Sequence, residues 1–171
     1  MNDLLSLVAE ISVGFTGFAA IASALGQSPS AADARLDRLR LRNLVETGVV
    51  IVIMAIVPLV LLQTESGPEW AWHVSAALLA AALIALMILH GSRNRAANVS
   101  SLAGYRRWAG TVLWTLGTGA LAVLLIALVV PGSIRLDVAY VAALAQMTTI
   151  LGVYFIRIAA SLLAHKMDGH S

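Results

Sequence analysis

Residues 108–130 read Trp-Ala-Gly-Thr-Val-Leu-Trp-Thr-Leu-Gly-Thr-Gly-Ala-Leu-Ala-Val-Leu-Leu-Ile-Ala-Leu-Val-Val, a run of 23 residues without a charge. A helix needs about 20 mostly apolar residues to cross the hydrocarbon core of a bilayer. Four further stretches of the same character flank this one, at about 4–25, 44–62, 70–89 and 138–164. Few charges interrupt them: Glu10 in the first, Glu46 in the second and Arg157 in the fifth, with Pro58 near the end of the second. Turn and breaker residues join them, such as Gly26 to Pro29, Ser66 to Pro68, and Pro131 to Ser133. The apolar runs are continuous rather than alternating, which favours helices over a β-barrel. The expected fold is an all-α integral membrane protein, with residues 1–171 forming one transmembrane domain of five helices.

Composition agrees. The chain has 171 residues, 60% hydrophobic and 12% charged, with a mean hydropathy of +0.88. Soluble domains average about half apolar and a quarter charged, and a short chain has little core in which to hide such an excess. Disorder, an ordinary soluble enzyme and a nucleic-acid-binding module are excluded, in spite of a pI near 9.5. No cysteine is present, so thiol catalysis, thiolate metal sites and disulfides are excluded as well.

The placement of the basic residues orients the bundle. Arg35, Arg38, Arg40 and Arg42 fall in the segment 26–43, and Arg93, Arg95, Arg106 and Arg107 in the segment 90–107. Arg157 and Lys166 lie at the end of the fifth span, and only Arg135, beside Asp137, falls on the opposite side. Excess Lys and Arg marks the cytoplasmic face. The expectation is an outside N-terminus and a cytoplasmic C-terminus, in a bacterial inner (plasma) membrane. Ala22-Ser23-Ala24 resembles a signal-peptide cleavage site, but no basic residue precedes the apolar stretch and four arginines follow it, so the first span is read as a mature helix. Ser28 and Pro29 can open a helix through Arg42. That segment reads as a cytoplasmic extension of the second helix lying near anionic headgroups, or else as a docking face for a partner.

Charged residues at membrane depth are functional candidates. Glu10 stands about 9 Å in from Leu4 at 1.5 Å per residue, with Gly14 and Gly17 following at i+4 and i+7. It either faces a pathway or makes an interhelical hydrogen bond. Gln146 stands about 12 Å in from Val138, at a similar depth. A Glu10–Gln146 contact, within or between subunits, fits both helices. Near the cytoplasmic end, Glu46 can pair with Arg157, or with Arg42 at i,i+4 while Arg157 snorkels to the interface. Gly14, Gly17, Gly117 and Gly152 mark faces on which helices approach closely. Among His73, His90, His165 and His170, only His90 and His165 share a depth, and nothing else supports haem or a metal there. No cofactor is expected.

No Ser–His–Asp set, HExxH or phosphate loop is present, so an enzyme is the least favoured class. Two classes remain. One is a homo-oligomeric channel or transporter with Glu10 facing a pathway, since rings of carboxylates select cations. The other is a membrane-embedded assembly or regulatory subunit that meets a protein partner, or anionic lipid, through its arginine-rich loops.

Overall fold

The computed structural model describes residues 2–25, 31–64, 67–96, 107–130 and 132–168, excluding the side chains of 2, 4, 19–25, 31–37, 107–109 and 161–168. They form five helices: α1 (Asn2–Leu25), α2 (Ala31–Leu61), α3 (Pro68–Ala96), α4 (Arg107–Val129) and α5 (Leu136–Asp168). No strand occurs among the described residues. Four segments are long and apolar enough to cross a membrane: Arg38–Leu61, Pro68–Ala96, Gly110–Val129 and Leu136–Ala160. The described apolar part of α1, Leu5–Phe18, is shorter.

The helices outrun the apolar stretches chiefly at the arginine-rich end. The arginine-rich segment 26–43 is helical from Ala31 and continuous with the second span, as its lack of breakers suggested, and α3 carries on through Arg93 and Arg95. Local chemistry sets the ends. Gly67, at φ +87°, turns the chain into Pro68, which occupies the first helical position, where its missing N–H costs no hydrogen bond. Glu69 in the first turn of α3 and Arg93 and Arg95 in its last turn oppose the helix dipole favourably. At the α4–α5 turn, Arg135 forks onto Asp137 at 2.8 and 3.2 Å. The Arg135 charge is thereby offset by its neighbour.

Helix α5 packs against all four of the others, while α1, α2, α3 and α4 follow one another around it. Its inward side chains Tyr140, Leu144, Met147 and Leu151 are fully buried and meet Leu44 and Ile51 of α2, Leu79 of α3 and Leu124 of α4. Outward faces remain apolar: Ile88, Val129 and Ile156 are 67%, 73% and 65% exposed. Water would reject such a surface, whereas lipid accepts it.

Two contacts fix how closely the helices approach. A Cβ built at Gly48 of α2 would fall 2.2 Å from Thr16 Oγ1 of α1, so any larger residue would have to displace the Thr16 hydroxyl. Thr16 Oγ1 is itself occupied, donating to Ser12 O at 2.8 Å. Pro58 sits inside α2 and has no N–H to give to Met54 O, four residues back. The Tyr140 hydroxyl of α5 donates to that carbonyl instead. The same ring meets Trp72 of α3 edge to face, with centroids 5.7 Å apart. One aromatic side chain thus repairs the proline gap and joins three helices.

Candidate functional site

The densest polar cluster lies at the arginine-rich end, where α2 begins and α3 finishes. Glu46 accepts from Arg42 Nε at 3.0 Å, one turn away on its own helix. Its other oxygen accepts from Arg93 Nη1 on α3. His90, one turn before Arg93, places Nε2 at 3.6 Å from that oxygen, too far for a hydrogen bond. One carboxylate therefore ties two helices together and is shared by two guanidinium groups, leaving the trio with one net positive charge. The three arms differ in setting. The Arg42 side chain is 60% exposed, while those of Arg93 and His90 are 20% and 13% exposed.

A pocket with about 80 Å³ of free space adjoins the cluster, between α2, α3, α4 and α5. Thr47, His90, Asn94, Trp114 and Tyr154 bring polar atoms to an otherwise apolar wall. The buried His90 Nε2 makes no hydrogen bond among the described residues, and neither does Asn43 Oδ1. A few water molecules fit a space of this size, and buried polar atoms without protein partners are where ordered water is held.

The intramembrane residues singled out from the sequence part company here. Of the two pairings expected for Glu46, the structure shows the i,i+4 one with Arg42, joined by Arg93, and not the one with Arg157. Arg157 is half-buried on α5 and has a partner of its own. Gln146 turns toward α4, where its Nε2 would lie 3.1 Å from a Cβ added to Gly119. Glu10 is exposed on the outer face of α1. The two match in depth but point apart, so a Glu10–Gln146 contact within one subunit does not form. The reason is helix phase: Leu5, Ser12 and Phe15 carry the inward face of α1, and Glu10 falls outside it.

The glycines divide in the same way. Gly152 and Gly117 face neighbours, but without tight approach: a Cβ added there would stand 3.9 Å from the Phe15 ring and 3.8 Å from Met87 Sδ, ordinary van der Waals contact. Around Gly14 and Gly17 nothing lies within 4 Å, so these two open outward rather than onto a neighbour in the same chain. His90 and Arg93 were not anticipated beside Glu46, Arg93 having been placed in the arginine-rich segment 90–107. Their i,i+3 spacing at the arginine-rich end of the third span, level with Glu46, was the available signal.

The basic residues are not one surface. Arg38, Arg42 and Arg95 are exposed, while Arg40 and Arg93 are partly buried. The side chains of Arg35 and Arg107 are outside those described, and Arg106, like the haem partner His165, is not among the described residues or side chains. No group of three His, Cys, Asp or Glu side chains suited to a metal occurs among the described residues. The chain matches no protein-family model, no curated protein and no solved structure.

Proposed function

We propose that the protein is a homo-oligomeric membrane channel or transporter for cations, assembled through the outer face of α1, with Glu10 facing a pathway between subunits. In this reading all five helices cross the membrane, with the N-terminus outside and the arginine-rich end in the cytoplasm of a bacterial inner membrane. The observation that carries it is the outward face of α1: Glu10, Val13, Gly14 and Gly17, at i, i+3, i+4 and i+7, are all exposed. A carboxylate facing hydrocarbon costs a few kcal/mol, and burial against a second copy or a water-filled path offsets that cost. Small residues on the same face let such a copy approach. Beside them Gly17, Gly48, Val49 and Ile53 line a shallow apolar groove between α1 and α2, into which a neighbouring helix can settle. The centre of each bundle is filled by α5, so a pathway between subunits suits this architecture better than one through a single chain.

The second reading, an assembly or regulatory subunit, is favoured by the arginine-bearing start of α2, which extends from Ala31 ahead of its membrane segment. Cation flux into liposomes separates the two. Wild-type protein should conduct, and Glu10→Gln, which keeps size and hydrogen bonding but loses charge, should cut flux several-fold while melting normally in detergent. Unchanged flux in a folded Glu10→Gln protein, or no flux from wild type, would favour the subunit.

A further inference from the structure

On the outer surface of α3 and α4, away from α1, runs a second groove with about 400 Å³ of free space. Its walls are apolar: Ile84 and Ile88 of α3 on one side, Trp114 and Leu121 of α4 on the other. Gly91 forms part of the lining, and the Trp114 ring lies against it, 3.2 Å from where a Cβ would stand. The absent side chain lets the indole sink between the helices. One turn beyond Gly91, Arg95 closes the arginine-rich end of the groove.

Arg93 and Arg95 share the last turn of α3 but face opposite ways. Arg93 turns inward and is neutralised by Glu46. Arg95 is exposed, and no acidic side chain pairs with it among the described residues. The groove thus presents an apolar track about the length of the inner half of a bilayer, ending at the Arg95 guanidinium, which has no acidic partner among the described residues.

We infer that this groove is a binding site for one anionic phospholipid, its phosphate on Arg95 and one acyl chain laid along Ile84, Ile88 and Leu121 against Trp114. A guanidinium at the interface attracts anionic headgroups, and a flexible chain fills an irregular apolar furrow that no protein side chain fills. The site needs only the membrane setting of α3 and α4 and does not depend on a flux pathway.

Trp114 is the reporter. Trp70, Trp72 and Trp108 are replaced by Phe, and the protein is placed in vesicles of phosphatidylcholine containing a small fraction of acyl-brominated lipid. Brominated phosphatidylglycerol should quench Trp114 several-fold more than brominated phosphatidylcholine at equal fraction. Arg95→Gln should remove that preference, Arg38→Gln on α2 should leave it, and raising ionic strength should weaken it in the unmutated groove. The salt series carries the test if Arg95→Gln does not fold. Equal quenching by the two lipids, or a preference indifferent to both Arg95→Gln and salt, would overturn the site.

Discussion

Glu46→Leu is expected to destabilise the protein by about 2–3 kcal/mol, below the cost of breaking a fully buried pair because both partners retain some exposure. The loss does not come from Arg42, whose exposed i,i+4 pair contributes under about 1 kcal/mol. It comes from Arg93, left 20% exposed with no counter-charge beside the buried His90. Arg42→Leu should therefore shift the melting temperature little. Glu46→Leu combined with Arg93→Met should recover most of what Glu46→Leu alone loses, because an apolar pair at that depth replaces an unpaired charge. Thermal unfolding of wild type, these three variants and Arg93→Met alone in one detergent checks this. Additive losses in the double variant would show that the α2–α3 pair is not what Glu46 holds.

Tyr140→Phe should cost about 1–2 kcal/mol, more than an average hydroxyl, because it strands a carbonyl that the helix cannot satisfy. Met54 O loses its ordinary partner to Pro58, and the Tyr140 hydroxyl is its replacement. In a Pro58→Ala background the N–H at position 58 returns and takes Met54 O. There Tyr140→Phe should cost only a few tenths of a kcal/mol. The cycle is measured by unfolding in detergent. An equal loss in both backgrounds would mean that the hydroxyl does no more than fill space.

The helices were legible because bilayer thickness imposes a length that composition alone reveals. The extension of α2 back to Ala31 was legible too, since no breaker lies between Ala31 and Arg42. Phase around each helix was harder. Helix α1 is apolar on both faces, so periodicity could not say that Leu5 and Ser12 turn inward while Val13 and Phe18 turn out. That ambiguity is why Glu10 and Gln146 were matched by depth and then found on different faces. Glu46 and Arg157 failed as a pair for a related reason. Depth along the chain was right, but α3 lies beside α2 and brings Arg93 to the carboxylate. The role of Tyr140 could have been read from Pro58 only by asking where the Met54 carbonyl goes. Gly48, which nothing in the sequence set apart from the other glycines, is the tightest helix crossing found at any described glycine, against Thr16.

Assembly through the outer face of α1 is most directly tested by cross-linking, and the chain contains no cysteine to interfere. Glu10→Cys, Gly14→Cys and Gly17→Cys are made one at a time, with Ile88→Cys on the outer face of α3 as a control, and oxidised in native membranes. The expected result is a disulfide-linked dimer at one or more of the three α1 positions, at low expression level, and none at 88. Monomer alone at all three α1 positions, in protein that labels readily with a thiol reagent, would contradict assembly through α1 and leave Glu10 without the neighbour on which the proposed pathway depends.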